Sequence, residues 1–543
     1  MHAADPHQPT AGPLLLRGAR VVDVVPSVRL ATSPDPVSGT TPAGAHAGTP
    51  DARQDAPQDV LVVDGVVVAT GDAARAALAD LGAGARAALE TVDLDGRWLA
   101  PGLWDAHTHM EQWALARQRL DVSGASSAAE AAALVRERLR TAAPPPGTAL
   151  VGLGFRDGLW PDLPTSALLD DAAAAAGHPD VPVVLISGDL HCGWLSTRAA
   201  EVHGLAGVVG RDGTGLLREH PWFPVLDRLD DAGPDVVDGW VQDAARAAAR
   251  RGVVGVVDFE MAGAVPAWER RVASGHADLR VVASVWAAGL DDVVARGLRT
   301  GDRLADLLTM GPLKVISDGS LNTRTAYCHD PYPGLSGPDS HGTLSVPPEE
   351  LRPLMARATA AGLACAIHAI GDRANALALD AFAATGASGS VEHAQLLATD
   401  DVARLALLGV VASVQPEHAM DDRDVADRHW AGRTARAFPL RALHAAGVRL
   451  TLGSDAPVAP LDPWSAIGAA VDRARDGREP WHPEQRLAAD VALAASVRSR
   501  VAVGEVADLA VLDADPLATR GDALRAMPVA GTLLAGRWTH RAL

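Results

Sequence analysis

The run WLAPGLWDAH, residues 98–107, leads straight into Thr108 and His109, and it is the first of eight short apolar segments of the same kind. The others are VVGVVDF (253–259), LRVVASVW (279–286), LKVISD (313–318), LACAIH (363–368), SVEHA (390–394), VVASVQP (410–416) and RLTLGSD (449–455). Branched residues dominate them, and long Ala- and Arg-rich stretches of helical character separate them, which is the alternation of a parallel α/β fold. Eight strand–helix units predict a closed (β/α)8 TIM-type barrel over residues 98–490. Only the first connection is out of scale. Its length of about 145 residues predicts an inserted subdomain over residues 113–245, with PVVLISGD (182–189) as one of its strands.

Outside the barrel, PLLLRGARVVDVV (13–25) and DVLVVDGVVVATGD (59–72) are rich in branched residues and broken by Gly and Asp, as hairpins are. VGEVADLAVLDADP (503–516) and VAGTLLAGRWTH (529–540) have the same character. The two chain ends, residues 1–97 and 491–543, therefore predict a small β-sandwich. Between its first strands, residues 26–57 are dominated by Pro, Ser, Thr, Gly, Ala and Asp and predict a flexible insertion.

Polar residues break the apolar runs at their C-terminal ends, where a barrel carries its chemistry. The first strand ends in Asp105-Ala106-His107-Thr108-His109, whose alternating imidazoles project to one side of an extended chain and can begin a metal site. The fourth run carries Lys314, the fifth ends at His368, the sixth contains His393 and the eighth ends at Asp455. Each has a plainer reading: a histidine at a strand end can be a hydrogen-bonded structural residue, and Asp455 after Gly453-Ser454 can cap a turn or helix. Their recurrence in one type of position on separate strands favours a shared metal site.

Lys314 is the only lysine of the chain, so 47 of its 48 basic residues are arginine. A coding bias toward arginine leaves lysine either by chance or where a guanidinium cannot serve, for instance where an amine must lose its proton. Against the 48 basic residues stand 67 acidic ones, and the net charge of −19 repels phosphate backbones and anionic lipid. Nucleic acid and membrane are thus excluded as general partners, and no apolar run approaches the roughly 18 residues of a spanning helix. The N-terminal stretch lacks the basic start and continuous apolar segment of a signal peptide. Cys192, Cys328 and Cys365 are odd in number and far apart, which suits a reducing cytoplasm.

PGLWDAHTH, LKVISDGSLNTRTA, IHAIGDRA, VEHAQ and LGSDAPV occur in an order and spacing that resemble the metal-dependent amidohydrolases. They look most like the amidohydrolase 3 family, which includes N-substituted formamide deformylases. The resemblance implies metal ligands at His107, His109, His368, His393 and Asp455. It also implies that Lys314 is carboxylated by CO2 to bridge two metals, as in binuclear members; mononuclear sites also occur in the superfamily. The implied cofactor is one or two divalent transition metal ions, zinc by preference for imidazole and carboxylate. The implied reaction is hydrolysis of a small-molecule amide C–N bond, in an N-formyl or N-acyl amine or a cyclic amide, by metal-bound hydroxide with Asp455 as general base and then acid. A deaminase or esterase on the same metal site, and a non-catalytic binding protein of this fold, are the alternatives. The chain departs from the family pattern at Asn322, where relatives often have Gly, and around Asp189-Leu190-His191. His191, Asp318 and Arg324 are candidate substrate contacts, and assembly into a homo-oligomer is left open.

Overall fold

The computed structural model describes residues 12–29, 56–145, 147–157, 160–187, 192–209, 214–218, 221–230, 233–261 and 263–543. His191 and residues 30–55, most of the expected 26–57 insertion, lie outside them. The chain divides into two compact units, one formed by Met1–Met110 with Ala245–Leu543 and the other by Glu111–Ala244.

The first unit contains the barrel. Its strands are Leu103–Thr108, Val253–Asp258, Arg280–Trp286, Leu308–Ile316, Cys365–Ala369, Gly389–His393, Val411–Val414 and Leu450–Leu452, and each pairs in parallel with the next in chain order. Sequential parallel neighbours are what right-handed strand–helix–strand units produce. Buried on both faces, these strands read as near-continuous apolar runs because interior layers fill one side and helices cover the other. Leu103–Thr108 is buried at every residue.

The first apolar run is two strands rather than one. Trp98–Pro101 pairs antiparallel with Leu509–Leu512, and only Leu103–Thr108 enters the barrel. Gly102 is the crossing point: its N–H donates to Asp508 O at 2.8 Å, and the next N–H, of Leu103, donates to Gly252 O at 2.9 Å. A Cβ at Gly102 would come within 2.4 Å of the Val254 side chain, so only glycine lets the chain change sheets here.

The strands of the two chain ends share one mixed sheet, in the order Arg537–Arg541, Val529–Leu534, Leu509–Leu512, Trp98–Pro101, Leu14–Val21, Gln58–Val63 and Val66–Thr70, with Glu90–Asp93 also on Leu14–Val21. The hydrogen-bonded path is continuous where the sequence predicts a two-layered sandwich. Leu14–Val21 serves both halves because its register shifts between Leu16 and Ala19, where Gly18 takes a φ of 65°. Residues from both chain ends, among them Leu16, Val60, Leu99, Leu509 and Leu533, bury together in one apolar core.

The second unit carries a five-stranded sheet in the order Leu216–Arg218, Cys192–Leu195, Val183–Ser187, Leu150–Phe155 and Leu120–Asp121. Val183–Ser187 is the strand expected over 182–189. The three cysteines are free and buried, and no helix among the described residues is long and apolar enough to cross a membrane.

Candidate metal centre

The first and last barrel strands meet through the residues that carry the chemistry. Asp455 N–H donates to His107 O at 2.7 Å, and His109 N–H donates to Ala456 O at 2.9 Å. Beneath them the buried Asp105 carboxylate accepts the N–H groups of Ser454 at 2.9 Å and of His107 at 3.1 Å. Gly453 makes this approach possible, since a Cβ there would lie 2.7 Å from His107 N. Two site residues sit in the left-handed region, His393 at φ 72° and Asp455 at φ 59°. Such backbone costs of order 1–3 kcal/mol per residue and persists where the surroundings over-determine it, often at functional sites.

The side chains converge. His107, His393 and Asp455 each offer a ligand atom, and these three atoms lie within 4.8 Å of one another in a buried setting. Asp455 Oδ1 is 3.4 Å from His107 Nε2 and 3.3 Å from His109 Nε2. The His368 ring packs edge-on against His393 with centroids 4.4 Å apart. Lys314, 1% exposed, places Nζ 3.3 Å from His107 Nε2 and over the Phe259 ring at 4.5 Å. The structure thus gathers His107, His109, Lys314, His368, His393 and Asp455 around one point.

Burial sets their charges. It pulls His107 down to about 4 and His368 to about 3, helped in both by the Lys314 charge, and it holds His393 well below the usual histidine range. Three neutral imidazoles result, the form that binds a cation. Burial also draws Lys314 down to about 8, toward the unprotonated amine. At Asp455 burial opposes ionisation, yet the adjoining His107 and the hydrogen bond from His109 keep the carboxyl well below its ordinary value. His109 shows the reciprocal effect: burial works against its cation, but the bond to Asp455 prevails and raises its pKa. Orphaned buried nitrogens complete the fit, because His109 Nδ1 and His393 Nδ1 have no hydrogen-bond partner among the described residues.

Reading the sequence residue by residue overlooks three contributors. Glu392, beside His393 in VEHAQ, accepts a 2.7 Å hydrogen bond from His107 Nδ1 and another from Ser390 Oγ. This contact gives the neutral His107 its Nδ1–H tautomer and leaves the Nε2 lone pair facing the cluster. His418, just past the seventh strand, sets Nε2 3.9 Å from Asp455 Oδ2 and stacks on His393 at 6.0 Å. Asp105 has its carboxyl raised by burial to about 7. Glutamate next to a candidate ligand and histidine after Gln415-Pro416-Glu417 were the available signals.

Of the three candidate substrate contacts, His191 lies outside the described residues. Asp318 is fully buried and accepts the N–H groups of Tyr327, Ile370 and Gly371 at 2.8, 3.0 and 2.9 Å, so it ties two barrel-mouth loops together. Its Oδ1 is 3.5 Å from His368 Nε2. Arg324 stands exposed on the loop after the fourth strand, with a φ of 58°.

Comparison with known proteins bears on this arrangement. The sequence profile of the Amidohydrolase family matches residues 90–540, which includes every residue of the cluster. Protein LONG AFTER FAR-RED 3 of Arabidopsis thaliana is 29% identical, over 75% of this chain and 74% of its own length. The N-substituted formamide deformylase of Arthrobacter pascens is 26% identical, over 91% of this chain and 96% of its own. Among solved structures, an uncharacterized metal-dependent hydrolase from Pyrococcus horikoshii is similar in fold, with a TM-score of 0.71 and 24% identity, covering 94% of this chain and 99% of that one.

Proposed function

Because the chain belongs to the Amidohydrolase family, and so is a hydrolase acting on carbon–nitrogen bonds, we propose that it cleaves a non-peptide amide of a small molecule at a metal centre held by His107, His109, His368, His393 and Asp455. The substrate is an N-formyl or N-acyl amine, or a cyclic amide, and the similarity to a formamide deformylase puts N-formyl amines first. A divalent transition metal bound there, zinc by the nitrogen-rich donor set, supplies Lewis acidity that acidifies water and polarises a carbonyl.

The protein's own groups do the rest. His107 presents Nε2 because Glu392 holds its other nitrogen, so this ligand needs no reorientation. Asp455, kept ionised, accepts the proton of the attacking water and returns it to the departing nitrogen. Lys314, whose pKa burial lowers, is suited to take up CO2, and the resulting carbamate would add an anionic donor for the metal, a role that arginine cannot fill. The observation that carries this reading is the close approach of three buried donors, His107, His393 and Asp455.

Its test is metal analysis of the purified protein followed by a screen of N-formyl and N-acyl amines with product identification. Formate or another carboxylic acid, released with one or two equivalents of metal bound, supports the proposal. Ammonia release would assign deamination instead, and full activity without metal would overturn the metal-centred reaction.

A further inference from the structure

The helix His418–His429 follows the seventh strand and sets a row of acids near the barrel mouth. Most of them have an evident partner. Glu417, just before it, meets Arg475 at 2.7 Å and Arg525 at 2.8 Å; Asp421 meets Arg475 at 2.8 Å; Asp424 meets Arg478 at 2.7 Å; Asp427 accepts from Trp481 Nε1 at 3.0 Å. Asp422 differs. It is half-buried, and its two oxygens accept from neutral amides, Asn322 Nδ2 at 2.7 Å and Gln395 Nε2 at 3.5 Å. Among the described residues no arginine forms an ion pair with it. Burying a carboxylate without a countercharge is unfavourable, and amide donors offset only part of the cost.

The position of Asp422 relates it to the chemistry. Asn322 comes from the loop after the fourth strand, Gln395 lies two residues past His393, and Asp422 sits in the helix after the seventh strand, so the segments that follow three barrel strands meet at one carboxylate. One helical turn earlier, His418 is buried, its Nε2 has no hydrogen-bond partner among the described residues, and that atom lies 3.9 Å from Asp455 Oδ2. Residues four apart on a helix are about 5–6 Å apart at Cβ. His418 and Asp422 are therefore neighbours on one face of this helix, with His418 next to Asp455.

We propose that Asp422 is a specificity residue that selects substrates bearing a cationic group a few bonds from the scissile amide, with His418 lining the path between them. The proposal rests on the amide-hydrolysis reading above and names its substrate class. The cation supplies the countercharge that no arginine gives Asp422, and His418 Nε2, without a hydrogen-bond partner among the described residues, meets a polar atom of the intervening chain.

The test compares three formamides of equal length: a short diamine carrying one formyl group, a neutral alkylamine analogue, and an analogue ending in a carboxylate. The wild-type protein should favour the cationic compound over the neutral one by about tenfold or more in kcat/KM, mainly through KM, as expected for a charge-assisted hydrogen bond. In Asp422→Asn the two values should converge while metal content stays at the wild-type level, and Asp422→Lys should shift preference toward the carboxylate compound. Equal wild-type values for the cationic and neutral compounds, or a preference that survives Asp422→Asn, would overturn the proposal and leave amide hydrolysis standing. If none of the three is cleaved, it is the formamide reading that fails. Calorimetry with a short alkylammonium and the matching alcohol then decides: tighter ammonium binding that Asp422→Asn abolishes supports the role of Asp422, and equal binding refutes it.

Discussion

Replacing Glu392 by glutamine keeps the size of the side chain and removes its charge. In the wild-type protein His107 Nδ1 and Glu392 Oε2 are 2.7 Å apart, and both residues are about 1% exposed. Water therefore cannot take over the contact. A glutamine can turn either its oxygen or its NH2 toward Nδ1, and the NH2 orientation favours the tautomer with a proton on Nε2, where a ligand lone pair is needed. The substitution also deletes a negative charge that favours the Lys314 cation and helps hold the local balance. Losing the partner of a metal-binding histidine typically lowers metal affinity about 10- to 100-fold, and at 1.4 kcal/mol per tenfold this is about 1.4–2.8 kcal/mol. Zinc affinity would be measured by competition with a chromophoric chelator, alongside thermal unfolding of the metal-free proteins to show that Glu392→Gln folds. An affinity within about twofold of wild type, in a folded variant, would refute the view that Glu392 sets the donor face of His107.

Asp455→Asn should lower turnover by about 100-fold or more, the usual contribution of a positioned proton-transfer group; normal turnover would remove Asp455 as the base. Lys314→Arg keeps the positive charge but cannot form a bridging carbamate, so metal content and rate, measured side by side, should fall together, and full metal with full activity would refute the bridge. The pH dependence of zinc affinity offers a further check. Affinity should fall as pH drops through about 8, where Lys314 takes up its proton, and continue to fall as His109, whose pKa is raised above 6.5, is protonated. Below that it should flatten, because His107 and His368 stay neutral down to about 4 and about 3; a second steep loss starting near 6.5 would show ordinary, unburied histidines instead.

The barrel strands are legible in the sequence because each is an apolar run ended by a polar residue, and His107, His368 and Asp455 stand out for the same reason. The change of sheet at Gly102 is not legible. The run on either side of it is equally apolar, and what divides it is the position of Val254, more than a hundred residues away. Glu392 was hidden by its neighbour. In a regular strand adjacent side chains point to opposite faces, so a ligand at His393 argues against a second site residue at 392. The positive φ of His393 breaks that alternation, and no local rule announces it. His418 reaches the site from the first turn of a helix and not from a strand end, so strand periodicity says nothing about it. Asp318 was visible as a polar interruption, yet its grip on Tyr327, Ile370 and Gly371 depends on loops that only the closed barrel brings together.

Residues 107 and 455 bound almost the whole barrel in the sequence, and the hydrogen bonds between them are also where its ring of strands closes. The catalytic pocket and the closing seam are therefore one object. A partly assembled chain lacks Asp455 beside the histidines, because that carboxylate arrives only when the eighth strand docks on the first. Closing a loop this long costs entropy that rises only slowly with its length, and a cation held as proposed by His107 and Asp455 would repay part of that cost by binding the closed ring alone. Such an ion would act as a clasp. Stripping such an ion would loosen the join between the first and last staves, so catalysis and closure of the barrel would depend on the same pair of residues.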